Sequence, residues 1–90
     1  MGVDVYTDNE INFTQAVLGD KIEVETVDGQ INVAVPEGTE SGQLIRLKGR
    51  GIPYLGRSGR GDHYVRVKIR VPRKVSRIVR KTLEEIKNEL

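Results

Sequence analysis

Apolar and polar positions alternate with a period of two over most of residues 5–71, and a longer period takes over only near the C-terminus. The clearest alternation is Lys21-Ile22-Glu23-Val24-Glu25-Thr26-Val27, then Asp28-Gly29, then Gln30-Ile31-Asn32-Val33-Ala34-Val35. Asp-Gly between two such runs is a strong hairpin signal, and it places the turn at Asp28-Gly29. Ile22 and Val24 then share one face, as do Ile31, Val33 and Val35. Upstream, the odd positions from Val5 to Phe13 read Val, Thr, Asn, Ile, Phe, which predicts a strand better defined at its end than at its middle. Thr14 as N-cap and Gly19 as the terminating glycine bracket one short helical turn, expected to fold Phe13, Val17 and Leu18 over an open end of the core. Pro36 to Gly42 is a turn-rich connection.

Two more strands follow, Gln43–Lys48 and Asp62–Val71. The second should turn Val65, Val67, Ile69 and Val71 inward and Arg66, Lys68 and Arg70 outward, with Pro72 closing it. After that the period changes. Val75, Ile78, Val79, Leu83, Ile86 and Leu90 recur at three- and four-residue steps, an amphipathic helix with Ser76 as N-cap. Its charges oppose the helix dipole, with Arg77, Arg80 and Lys81 early and Glu84, Glu85 and Glu89 late. Arg80–Glu84 and Lys81–Glu85 are spaced to pair, in the less favourable order. Such a helix depends on burying its stripe. The fold class expected is therefore mainly β: a small two-layer β-sandwich with one short helix after the first strand and a C-terminal amphipathic helix. Residues 1–72 make the sandwich domain and residues 73–90 the helical segment.

Between those two strands lies Leu47 to Asp62, which holds five of the ten glycines and three arginines. Gly49, Gly51, Pro53, Gly61 and Asp62 read as the residues that shape this loop, since glycine tolerates backbone forms that others avoid and proline fixes φ. Ile52-Pro53-Tyr54-Leu55 is an apolar tetrapeptide within it, expected to pack into the core in preference to remaining exposed as a contact.

Composition adds bounds. Ninety residues make one small domain of limited burial. No apolar run approaches the ~20 residues of a membrane span. The opening Met1 to Asp8 lacks the basic start and apolar middle of a signal peptide, and Met1-Gly2 reads as a start added to a fragment. With no cysteine there is neither a disulfide framework nor a thiolate metal site. The only histidine, His63, is read as a surface or boundary residue beside Asp62 and Tyr64; no nucleophile is placed to use it. Gly49-Arg50-Gly51 and Gly59-Arg60-Gly61 begin like a phosphate-binding fingerprint, but Tyr54 and Tyr64 occupy the third glycine position and no helix follows. Arg46, Lys48, Arg50, Arg57 and Arg60 offer a second reading, a basic β-domain that binds nucleic acid non-specifically and weakens steeply with salt. Against it stands the plain role of Lys and Arg in solvating a sheet face.

The motifs taken together resemble one family. Ile11-Asn12-Phe13-Thr14-Gln15-Ala16-Val17-Leu18-Gly19-Asp20, the hairpin around Asp28-Gly29, Val35-Pro36-Glu37-Gly38-Thr39, Leu47-Lys48-Gly49-Arg50-Gly51-Ile52-Pro53 and Gly59-Arg60-Gly61-Asp62-His63-Tyr64-Val65 follow one another. In that order and spacing, over about residues 4–90, they resemble the second C-terminal β-domain of the DnaJ family of J-domain co-chaperones. The resemblance implies a cytoplasmic, non-enzymatic module that binds non-native polypeptide, helps to dimerise its parent, and serves protein folding and the stress response with a DnaK-type chaperone. It implies no cofactor here: the Cys-x-x-Cys repeats of the family's zinc module and the His-Pro-Asp tripeptide of its J-domain are both absent from the sequence. By analogy with the preceding β-domain of the family, a peptide groove would involve Thr7 and Asn9 with Val24 and Thr26, although these are mostly polar where the family's groove is apolar. The resemblance also implies that Val79, Leu83, Ile86 and Leu90 form a dimer contact. Folding back onto the chain's own sheet would use the same four residues.

Overall fold

The computed structural model describes residues 3–56 and 58–90. Its elements are β1 (Val5–Asn12), α1 (Phe13–Leu18), β2 (Asp20–Thr26), β3 (Gly29–Val35), β4 (Leu44–Leu47), β5 (His63–Arg70) and α2 (Arg77–Ile86). β5 is the central strand of a three-stranded sheet, parallel to β1 on one side and antiparallel to β4 on the other. β2 and β3 form a separate antiparallel hairpin. Mostly strands in two small sheets, with a short helix after the first strand and a helix at the end, is thus the architecture that the alternation predicts.

The alternation also selects the core. Ile11, Ala16, Val35 and Val67 form one buried cluster, and Val24, Val33 and Val65 another. Ile22 and Ile45 pack against both and make the two clusters continuous. Each such side chain contributes roughly 1.5–3 kcal/mol on full burial.

Four local expectations are corrected. The β2–β3 register pairs Thr26 with Gly29, so the turn is Val27-Asp28, one residue earlier than Asp28-Gly29. A two-residue turn on Asp-Gly needs positive φ at both, whereas here only the glycine has it, at φ +105°. The N-cap of α1 is Asn12 rather than Thr14. Asn12 is still extended at the end of β1, its Oδ1 accepts the Gln15 N–H at 2.8 Å, and the Gln15 side chain accepts the Asn12 N–H at 2.9 Å. Thr14 only donates its hydroxyl to the Asn12 oxygen. Ala16, not Phe13, Val17 or Leu18, is what α1 buries, and the larger three remain partly or mostly exposed. The Pro36–Thr39 turn explains why: the Gly38 and Thr39 N–H groups both donate to the Ala16 carbonyl, and a small residue allows that approach. Finally, β5 stops at Arg70, opposite the last residue of β1, so Val71 has no covering strand and is 80% exposed.

α2 stands apart. Ser76 caps it as expected, its Oγ accepting the Val79 N–H at 3.2 Å, yet none of its residues is buried. It ends at Ile86, so Leu90 lies beyond the helix that the periodicity extends it through. The molecule measures 58 × 21 × 19 Å with a radius of gyration of 16.8 Å, against about 12 Å for a compact chain of this length. The helix has not folded back.

Candidate functional site

Three regions carry structure beyond the core. The first is the root of α2. Val71 and Pro72 leave the sheet without a partner, and the chain then turns into α2. This leaves a hollow of about 430 Å³ lined chiefly by Phe13, Ile69, Val71, Pro72, Val79 and Leu83. A second hollow of about 440 Å³ shares Val71, Pro72 and Leu83 and adds Arg73, Lys74 and Arg80. Val79 and Leu83 are each a little over 40% exposed and Ile78 more so, while Ile86 is half-buried. Along with Val71 they make an apolar surface that one copy of the chain leaves in water.

The second is the glycine loop, which is built rather than slack. The Gly51 N–H donates to the Gly61 carbonyl at 2.9 Å, Gly61 N–H to Ile52 at 3.0 Å and Tyr54 N–H to Gly59 at 3.0 Å, a small ladder within the loop. Asp62 holds its base. Its Oδ1 accepts the Gly49 N–H at 2.8 Å and its Oδ2 accepts from Arg46 at 2.7 Å. The Gly49 N–H foremost, and then Arg46, hold the Asp62 carboxyl below the usual aspartate value of 3.8. Arg60 donates to the Gly51 carbonyl at 2.8 Å and pairs with Asp28 at 2.8 Å, tying the loop to the tip of the β2–β3 hairpin. Ile52-Pro53-Tyr54-Leu55 does not pack into the core as expected. The ladder fixes its backbone, and Leu55 projects fully into solvent, 100% exposed.

Because the Asp62 carboxylate accepts from both Arg46 and Gly49 at the end of β4, Asp62→Ala should loosen the loop base without touching the core. The expected result is a Tm lower by about 4–8 °C in a thermal melt. In wild type that contribution is present above pH 4 and is lost as pH falls through the depressed Asp62 value, so the variant and the wild type should converge only in strong acid. Equal melting temperatures at pH 7 would show that Asp62 anchors nothing.

The third is His63. It is 1% exposed, which corrects the surface reading, and its Nε2 lies 2.8 Å from Thr7 Oγ1 across the β1–β5 pair. Burial alone lowers its pKa from the ordinary 6.5. The catalytic alternative has no support in this geometry, since among the described residues the hydrogen-bond partner of the ring is a threonine hydroxyl. Among the described residues no group of three or more His, Asp or Glu is placed to hold a metal ion.

A family model, the DnaJ C-terminal domain, matches residues 1–72. The chain belongs to that family. Its relatives named "Chaperone protein DnaJ" include one from Acetivibrio thermocellus, 50% identical over 84 residues, 93% of this chain and 22% of the relative. Another from Ruminiclostridium cellulolyticum is 53% identical over 75 residues, 83% of this chain and 20% of the relative. A third, from Leptospira biflexa, is 46% identical over 89 residues, covering 98% of this chain and 24% of the relative. The chain thus spans about a fifth to a quarter of the length of these relatives. The DnaJ C-terminal domain is a chaperone domain and not an enzyme. Among the described residues no helix is long and apolar enough to cross a membrane.

Within this DnaJ-type frame the sequence-predicted residues fall as follows. Thr7 and Asn9 are half-buried on the inner face of β1, with Thr7 engaged by His63. Val24 and Thr26 are buried on the inner face of β2, and the Thr26 hydroxyl donates to the Gly29 carbonyl at 2.7 Å. The four lie in two different sheets. β1 and β2 each pair with one strand only, so each keeps one open edge among the described residues. Gly49 has φ +73°, whereas Gly51 and Gly61 serve by their lack of a side chain. Pro53 bridges to Arg60. The loop arginines offered to nucleic acid are committed elsewhere: Arg46 to Asp62, Arg60 to Asp28, and Arg50 within 4.0 Å of Asp28. Arg57, like Met1-Gly2, lies outside the described residues.

Proposed function

We propose that this DnaJ-type domain binds non-native polypeptide and pairs with a second copy of itself, within a cytoplasmic co-chaperone that delivers clients to a DnaK-type chaperone. The observation that carries the reading is the apolar α2 stripe standing free beside an apolar hollow of about 430 Å³. Val79, Leu83 and Ile86 of one copy, with Leu90 following the helix, supply the apolar surface that such a hollow in a second copy would cover. Isologous contacts of this kind close a dimer, because each patch meets its own complement.

For the client, the open edges of β1 and β2 support strand addition, in which main-chain hydrogen bonds give the affinity. Thr7, Asn9, Val24 and Thr26 mark those edges. With Val24 and Thr26 turned into the core, their contribution to a bound strand is the backbone of β2.

Mass in solution by light scattering, over a concentration series at moderate salt, tests the assembly that this reading requires. Twice the 10.1 kDa chain mass is expected, falling to the single mass on dilution. A single mass at every concentration would overturn the pairing and leave α2 without an assigned partner.

A further inference from the structure

We propose that His63 is a proton-operated switch of the sandwich: in mildly acidic medium a proton on its imidazole opens the packed layers and presents their apolar inner faces. The opening does not depend on the client-binding reading. If that reading holds, the exposed faces are what a non-native polypeptide would meet.

The argument begins with position. His63 is the first residue of the central strand, opposite Val5 of β1 and Leu47 of β4, and 1% of its surface is exposed. Nε2 is satisfied by Thr7 Oγ1, but Nδ1 is buried with no partner. A neutral ring leaves only one lone pair or one N–H unpaired at Nδ1. A protonated ring must donate from both nitrogens, and the second donor is then buried without an acceptor among the described residues, with a full charge behind it.

Among the described residues no charged side chain on the inner faces of the strands offsets that charge. β1 turns Asp8 and Glu10 outward, β2 Glu23 and Glu25, β4 Arg46 and β5 Arg66 and Lys68, all of them exposed. Tyr64 is on the outer face, stacked on Tyr6 with ring centroids 4.9 Å apart. Asp62, next in the chain, is committed to Gly49 and Arg46, the exposed Asp4 accepts the Asp62 N–H at 2.8 Å, and Asp28 of the hairpin tip is committed to Arg60. The neighbouring positions of the strands around it, Val5, Thr7, Leu47 and Val65, carry no charge.

The sign follows. Burial lowers the His63 pKa, so below pH 6.5 the unfolded or opened chain takes a proton that the closed form refuses. Stability is complete above that pH and declines as pH falls toward the depressed value. The open population therefore rises by up to tenfold per pH unit in that window. Asp62 is shifted the other way, below 3.8, so its loss does not overlap. β1 is an edge strand and carries Thr7, the partner of the ring, so the opening is read there.

The test uses the fact that this chain has a single histidine. The His63 ring is titrated by NMR between pH 7.5 and 4.5, while amide exchange across β1 and β5, divided by the intrinsic exchange rate at each pH, and binding of an apolar dye are followed over the same range. The expected wild type titrates below 6.5, and its exchange and dye binding rise together as the ring charges. His63→Gln, neutral throughout, should show a flat profile between pH 7.5 and 5. A ring that titrates at or above 6.5, exchange that stays flat while the ring charges, or a Gln variant with the wild-type profile would each overturn the proposal. Should the Gln variant fail to fold, the wild-type titration and exchange decide by themselves. Opening in acid without any gain in binding of an unfolded polypeptide would sustain the switch and count against the client-binding reading alone.

Discussion

Leu83→Asp is expected to turn the proposed dimer into a monomer while the circular dichroism of the β fold stays unchanged. α2 buries none of its residues within one chain, so a carboxylate at position 83 costs the isolated fold little. The pair is different. Leu83 lines both hollows at the root of the helix, and a two-fold contact feels the substitution twice. Losing two partly buried leucines and placing two charges against apolar walls costs about 3 kcal/mol or more, which is over a hundredfold in dissociation constant. An unchanged mass would remove Leu83 from the interface. Loss of the β signal would instead mean that α2 holds up its own sheet, contrary to its exposure.

The second large effect is expected at the loop base. A Cβ on Gly51 would sit 2.6 Å from the Gly61 carbonyl carbon and 2.7 Å from the carbonyl oxygens of Asp62 and Val3. One on Gly61 would overlap the Val3 main chain and lie 2.7 Å from Val3 Cγ2. Apart from Val3 Cγ2 these neighbours are backbone, so Val3, Gly51 and Gly61–Asp62 bring three segments together with no long side chain to yield. Gly61→Ala should therefore destabilise by about 3 kcal/mol, at the upper end of overpacking costs, and lower Tm by roughly 12–24 °C. Gly49→Ala makes a useful contrast. Its Cβ meets open space, and only φ +73° resists it, at about 1–2 kcal/mol. Thermal melts of the two variants should separate crowding from backbone strain. If Gly61→Ala melts within a few degrees of wild type, the three segments are not packed as described.

Much of this was legible in the chain. Alternation states which face a residue takes, and it placed Ile11, Val24, Val33, Val35, Val65 and Val67 in the core. It does not state which strand lies alongside, so the parallel pairing of β1 with β5 carried no local mark. His63 did leave a mark that went unused: it has the parity of Val65 and Val67, and so does its partner Thr7 with Ile11. Its polarity argued for the surface, and position won. The apolar Ile52–Leu55 run misled in the opposite sense, because backbone pairing within the loop decides where those side chains go. Asn12 was hidden by doing two jobs, ending a strand and capping a helix. The stripe on α2 was plain from its spacing, but spacing cannot say whether a helix meets its own sheet or leaves it.

The parallel pairing of β1 with β5 also sets a schedule for the nascent chain. The Thr7–His63 bond joins residues 56 apart, and β1 has no other strand to wait with. At ribosomal rates of roughly 5–20 residues per second, β1 emerges about 3–11 s before its partner is made. The β2–β3 hairpin, closed by a two-residue turn, has that whole interval in which to form. Among the described residues β1 thus waits unpaired through that interval, with the exposed Asp8 and Glu10 on its outer face, until β5 arrives.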